Sequence, residues 1–419
     1  MSDMVVKNKR PFGFYVCSVA FMFERMAYYA AKYLIYVFVA ATVVTGGLGL
    51  TSVEAALIQS NLVAFTYLAP IIGGYISDRF IGARYCVPVG IALMAAGYWI
   101  GASATDAVGM NIMVTLVAIG TTAVGILVAS TFAQGEVQGF RAAFQLCAVI
   151  CVVDLIWFLF GSKSLGEVGK KPFKLGKEAE KDVVVENKPL TKSEKKKVFA
   201  IILISTFSVI FWVFWYLTYL AAYDYGAAFI NMNVSGFNVP LSWFDSLNSM
   251  ACIALGPVLG ILWFKLSKTA KGDLSLFKKL GIGLGLLGAA FLMLVFAEFS
   301  RGVGASDASK ASLLWLIAFG LLLSVGEMFF SPLGNSFVAK YAPNKMVSVL
   351  MGVWTFATFI AGKSYGYLYA FASKFSVIQA YSVIPAILFV AAVMLFVFDK
   401  KLTTLLEDDS DEVEDALAS

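Results

Sequence analysis

Eleven runs of mainly apolar residues divide this chain of 419 residues, at 12–40, 53–77, 85–104, 110–130, 140–161, 197–223, 241–266, 276–298, 312–338, 346–371 and 376–398. About 20 such residues, rising about 1.5 Å each as a helix, cross the hydrocarbon of a bilayer. Inside that hydrocarbon every backbone N–H and C=O must be satisfied within the chain, so runs of this length predict a bundle of helices. Composition agrees. The chain is 60% hydrophobic and 14% charged, with a mean hydropathy of +0.81, against roughly 25% charged residues in soluble domains. The expected fold class is an all-α polytopic membrane protein, and a soluble enzyme is excluded.

Basic residues are sorted into alternate loops. Lys7, Lys9 and Arg10 precede the first run, and Arg79 and Arg84 follow the second. Residues 162–197 hold eleven lysines and six acids; Lys265, Lys268, Lys271, Lys278 and Lys279 come next, then Lys340 and Lys345, then Lys400 and Lys401. The intervening loops 223–240 and 299–311 are poor in basic residues. By the positive-inside rule both termini are expected in the cytoplasm, with the plasma membrane as the default host. Residues 1–10 are too polar for a signal peptide and read as a retained cytoplasmic end. The net charge of +5 is not gathered on one face, so membrane lipid is an expected partner and nucleic acid is not.

The lysine-rich stretch 162–197 reads as a solvated linker with some amphipathic helix on the membrane surface. It separates an N-terminal bundle, 1–161, from a C-terminal bundle, 198–398. Residues 399–419 form an acidic cytoplasmic tail, with seven acids from Glu407 onward. The five cysteines show no metal spacing, and Cys147 and Cys151, at i and i+4, read as helix packing. The absence of histidine excludes His catalysis and His proton relays. No cofactor and no metal is expected.

Eleven crossings cannot join two ends on one side of a membrane. The inconsistency falls in 105–161, where two runs stand where three crossings are needed. Either Asn111–Ser130 is a hairpin of two half-helices, with the reversal at Gly120, or it crosses once and the topology is strained.

The first run carries Glu24 and Arg25 side by side, then Tyr28, Tyr29 and Lys32. A charge at the centre of a bilayer costs about 2.5–3.5 kcal/mol on insertion scales and by default marks a transport pathway. Arg25, Tyr29, Lys32 and Tyr36 recur at helical spacing, and this cationic face should look into a cavity. Glu327 is a lone carboxylate in an apolar run, with Ser324 and Ser331 nearby. Lys363, also within a run, is expected to snorkel to the outer surface.

Gly73-Gly74-Tyr75-Ile76-Ser77-Asp78-Arg79-Phe80-Ile81-Gly82-Ala83-Arg84 resembles the loop motif between spans two and three of the major facilitator superfamily, carried here by Gly74, Asp78, Arg79 and Gly82. Phe23-Glu24-Arg25-Met26-Ala27-Tyr28-Tyr29 resembles the signature of the proton-coupled oligopeptide transporter family within it. Tyr67-Leu68-Ala69-Pro70, Phe211-Trp212, Trp243-Phe244-Asp245-Ser246-Leu247-Asn248, Gly326-Glu327-Met328-Phe329-Phe330-Ser331-Pro332 and Met351-Gly352-Val353-Trp354 extend the resemblance to nearly all but 105–140 and the tail. It implies a two-bundle transporter, with twelve spans in place of the eleven read here, that carries di- and tripeptides with protons. It implies that Arg25, Tyr29, Lys32 and Tyr67 line one half of a peptide site, and Asn248, Glu327, Trp354 and Thr358 the other. Glu24, Arg25 and Glu327 are then the proton-coupling groups. The cationic face alone fits another organic anion or nitrate as well.

The chain departs from the family in three places. Phe21 stands where an acid is usual, three residues before Glu24. Tyr216 and Leu217 stand at an acidic and a glutamine position. Residues 112–130 read as the start of a fourth span joined to the end of a fifth, near Ala118-Ile119-Gly120-Thr121, without the lysine and asparagine that the intervening part normally gives to the site. A shortened, transport-incompetent membrane protein is the alternative expectation.

Overall fold

The computed structural model describes residues 11–76, 80, 83–120, 139–168, 170, 190–241, 243–269, 272–343 and 346–406. Ten of the eleven apolar runs coincide with one long helix each, and the described part of the run at 110–130 lies in a further helix. In the N-terminal part these are α1 (Phe12–Ala40), α2 (Ser52–Ile76), α3 (Ala83–Ser103), α4 (Ala107–Gly120) and α5 (Gly139–Gly161). Further along come α6 (Lys192–Phe229), α7 (Trp243–Ser267), α8 (Leu276–Arg301), α9 (Leu313–Tyr341), α10 (Val347–Ala372) and α11 (Val377–Val397), then a short α12 (Asp399–Thr403). By length and composition alone, α3, α5, α6, α7, α8, α9 and α11 can each cross a membrane.

The helices gather into two compact units, 1–184 and 185–419. In the first, α1 packs on α2 and α5, α3 lies against α4 and α5, and α2 meets α4. In the second, α8 packs on α9 and α11, α6 on α10, and α7 on α9. Lipid is as apolar as leucine, so helices in a membrane associate through close backbone approach at small residues. Gly283 of α8 and Gly326 of α9 show this reciprocally. A Cβ added to either would stand 3.0 Å from the carbonyl oxygen of the other. On α8, Gly281 and Gly288 give the same closeness to α11.

Helix starts are capped where chain direction changes. Thr191 and Glu194 form a reciprocal capping box at α6, and Ser376 with Gln379 does so at α11. These bonds satisfy N–H groups that the first helical turn leaves open. At 38 residues, α6 is about 57 Å long, well beyond a core of about 30 Å. Its surplus begins at Lys192, Lys195, Lys196 and Lys197, the end of the basic loop.

The irregular count resolves in part. Helix α4 is described over 14 residues, about 21 Å of the roughly 30 Å that the core spans. At its last described residue, Gly120, an added Cβ would lie 2.4 Å from the carbonyl oxygen of Gly90 on α3. The remainder of the expected joint, 121–138, lies outside the described residues.

Between α6 and α7 the chain makes a small antiparallel ladder, Asn233 opposite Asn238 and Val234 opposite Phe237. Ser235 and Gly236, at φ of 53° and 89°, turn it. Ile230 and Asn231 also pair in parallel with Ala311 and Ser312. No apolar periodicity announces strands this short, so the apolar-run reading passed over them.

Candidate substrate and proton site

Consecutive residues of a helix point about 100° apart. On α1 this separates the two neighbouring charges. Glu24 turns into the first unit and is 3% exposed, whereas Arg25 is half-buried. The Arg25 guanidinium lies 5.5 Å from the Tyr28 ring centroid and 5.8 Å from those of Tyr29 and Phe21, a cation held among aromatic faces. Phe21, at the position expected to be acidic, is an exposed ring beside that guanidinium. Tyr28 is buried, shares a hydrogen bond with Thr66 of α2, and lies within electrostatic reach of Tyr67 and Tyr29. Gln59 Nε2 donates to the Lys32 carbonyl at 2.8 Å, tying α2 to α1 at the level of Lys32. Tyr29, Lys32 and Tyr67 are half-buried, but Tyr36 is buried, so the open part of the face ends at Lys32. Gly74 lies within α2. Asp78, Arg79 and Gly82 are outside the described residues.

In the second unit, Asn248 of α7 is the hub. Its Nδ2 donates to Ser324 Oγ and to Glu327 Oε2 on α9, each at 3.1 Å. Ser324 donates onward to the Gly320 carbonyl at 2.7 Å, and the Cys252 thiol lies 3.7 Å from the same Glu327 oxygen. Asn248 and Ser324 are buried while Glu327 is half-buried. Five residues past Glu327, Pro332 sits inside α9. Proline has no N–H to offer the Met328 carbonyl, so the helix is loosened beside the carboxylate.

Trp354 and Thr358 of α10 are both buried. The Trp354 indole fills the space a side chain at Gly334 would need, with a Cβ there falling 1.8 Å from Cζ2. These two residues wall the unit more than they open into it. The departures at Tyr216 and Leu217 have a packing reason. Both are buried, and the Tyr216 ring stacks on Trp212 at 5.7 Å and meets Tyr365 of α10 at 5.4 Å. Phe211 stacks on Phe330 of α9 at 4.0 Å. Aromatic packing occupies the place of the polar pair. Lys363 lies 5.5 Å from the Tyr367 ring one turn further along α10.

Two acids escaped the sequence reading. Glu298, near the end of α8, accepts from Arg301 Nη1 at 2.8 Å and from the Tyr225 hydroxyl at 3.0 Å. Arg301 also donates to the Ser306 and Ser309 carbonyls at 3.0 Å and lies 4.2 Å from the Phe229 ring centroid. Asp154, in the middle of α5, is 0% exposed, and neither of its carboxylate oxygens meets a hydrogen-bond partner among the described residues. Its signal was in the sequence: a lone carboxylate in an apolar run, the criterion that found Glu327.

Comparison with known proteins places this chain among transporters. The chain is 22% identical over 424 residues to a di-/tripeptide transporter of Lactococcus lactis subsp. cremoris, covering 80% of this chain and 84% of that protein. It is 22% identical over 434 residues to dipeptide and tripeptide permease A of Escherichia coli strain K12, covering 86% and 84%. The Lactococcus match spans 424 positions yet takes in 80% of these 419 residues, about 335, so about 90 of its positions face no residue here. A crystal structure of a POT family transporter in complex with 5-aminolevulinic acid superposes with a TM-score of 0.82 at 21% identity, covering 95% of this chain and 98% of that one. The fold is therefore of the major facilitator type. A model of the POT family matches residues 175–384, half of the chain, and the chain belongs to that family.

Proposed function

We propose that the chain carries di- and tripeptides across the plasma membrane together with protons, by alternating access between two bundles. One observation carries this reading most directly. A half-buried cation among tyrosines on α1 and a hydrogen-bonded, half-buried carboxylate on α9 are the two chemistries that a zwitterion requires. Arg25 and Lys32, with Tyr29 and Tyr67, take the peptide carboxylate. Glu327, oriented by Asn248, takes the ammonium, with Trp354 and Thr358 as the adjoining wall. Protonating Glu327 removes the charge that holds the ammonium, which links proton and peptide occupancy, and Glu24 and Arg25 form the second coupling locus. The loop motif of Gly74, Asp78, Arg79 and Gly82 serves as the cytoplasmic gate, with both termini on that side. The peptide transporters among its relatives support the substrate class.

A second reading is a member of the same family that no longer transports. The roughly 90 unmatched positions favour it. Proteoliposome uptake of labelled dialanine, with and without an inward proton gradient, separates the two. Transport predicts uptake that the gradient accelerates and that excess unlabelled dipeptide, but not nitrate, suppresses. No uptake by monodisperse protein establishes the second reading. Uptake indifferent to the gradient removes the coupling and leaves the carrier.

A further inference from the structure

Within the second unit α6 packs on α10, and α7 on α9. A hydrogen bond spans from the first of these pairs to the second. The Tyr223 hydroxyl of α6 donates to Asp245, an acid in the first turn of α7, and both residues are buried. One turn past Tyr223, Leu241 of the connecting segment covers Gly226, where a Cβ would fall 2.8 Å from the leucine Cδ1. The start of α7 is thus held on α6 by one polar and one apolar contact.

From that start α7 runs along α9 in register. Phe244 and Leu247 close over Gly320, where a Cβ would fall 3.0 Å from each, and Phe244 stacks on Phe319 at 5.5 Å. Next, Asn248 donates to Ser324 and Glu327, the Cys252 thiol reaches Glu327, and Met328 lies against Gly256. Asp245, Asn248 and Cys252, at i, i+3 and i+7, share one face of α7. Any rotation of α7 about its axis therefore moves all three together. Gly320 has no side chain to interlock with α7, so the packing there limits approach more than rotation. A carboxylate suits the task of fixing that rotation. In the first turn it meets the positive end of the helix dipole, and a phenol donating to an ionised oxygen makes a stronger bond than one between neutral groups.

We infer that Asp245 is a positioning residue for the peptide site: held by Tyr223, it sets the rotation of α7 and so aims the Asn248 amide at Glu327. Its effect on affinity rests on the peptide-carrier reading above, while its effect on geometry does not. A displacement of about 1 Å at a binding group is enough to be felt in activity.

Counterflow of labelled for unlabelled dialanine in proteoliposomes measures half-saturation without a proton gradient. Tyr223→Phe is expected to raise half-saturation about fivefold at unchanged maximal rate, and Asp245→Ala about tenfold. Asp245→Asn, whose amide oxygen still accepts from Tyr223, is expected to stay within about twofold of wild type. In a Glu327→Gln background, where the positioned charge is already lost, Tyr223→Phe is expected to add less than about twofold. The same loss in both backgrounds, or an unchanged half-saturation in Tyr223→Phe, overturns the inference. A second measurement needs no transport. Alkylation of Cys252 by N-ethylmaleimide in detergent, followed at that residue by mass spectrometry, is expected to rise about threefold in Tyr223→Phe and Asp245→Ala as the thiol leaves the carboxylate, but not in Asp245→Asn. An unchanged alkylation rate in Tyr223→Phe overturns the inference as well. If the wild type shows no dialanine counterflow, the peptide reading itself fails, and alkylation alone decides whether Asp245 sets the aim of α7.

Discussion

Glu298 and Asp154 are buried almost equally, at 5% and 0% exposure, in helices of opposite units. Their surroundings differ in every other respect. Glu298 has Arg301 and Tyr225 on its two oxygens, and Arg301 is itself fixed by loop carbonyls. It closes the end of α8 onto the loop that follows. Asp154 has the Cys151 thiol within electrostatic reach, and neither a hydrogen bond nor an ion pair among the described residues. A buried charge whose partners are complete is a clasp, since every proton or charge change there costs stability. A buried acid without a counter-charge gains nothing for stability from being ionised and is free to serve chemistry. Glu327 stands between the two, with Asn248 as a neutral donor and one side open.

The sharpest test of that contrast is Arg301→Ala, which strands the Glu298 charge. It should lower stability by about 3–5 kcal/mol, read as a fall in thermal midpoint in detergent. An unchanged midpoint would deny the clasp. Glu327→Gln comes next. The amide can still accept from Asn248, so folding should be preserved, while apparent dipeptide affinity falls by about 2 kcal/mol, near thirtyfold. Retained affinity in competition uptake would move the ammonium site elsewhere. Tyr225→Phe removes one of the two hydrogen bonds to Glu298 and should cost about 1.5 kcal/mol in the same thermal assay. The smallest shift belongs to Asp154→Asn, with stability within about 0.5 kcal/mol of wild type or above it. A loss as large as that of Arg301→Ala would reveal a structural partner and erase the difference between the two acids.

The helical plan was legible because hydrocarbon imposes a minimum length, and runs such as 12–40 and 276–298 advertise it. The parity failure pointed to 105–161, since crossings must be even in number between two ends on one side; residues 121–138 of that stretch lie outside the described residues. Arg25 was legible from helical spacing and Glu327 as a lone carboxylate within an apolar run, whereas Asn248 came from the family resemblance. What escaped was anything decided by neighbours distant in sequence. The open face ends at Lys32 because Tyr36 is covered. Tyr216 is explained by Tyr365, which lies 149 positions away. Asp154 carried the same local signal as Glu327, but only the packed unit shows that it is fully buried with neither oxygen hydrogen-bonded among the described residues.

The reciprocal contact of Gly283 and Gly326 bears on which sequences this protein can reach. At either position a new methyl comes nearest to main-chain oxygen, at 3.0 Å, with side-chain Cβ atoms further off. A clash with a side chain can be relieved by trimming the neighbour, but no replacement of the neighbour trims a carbonyl. Second-site suppressors for either glycine should therefore be absent from the facing helix at that level. The crossing of α8 and α9 is a point where the drift of this sequence is blocked one residue at a time.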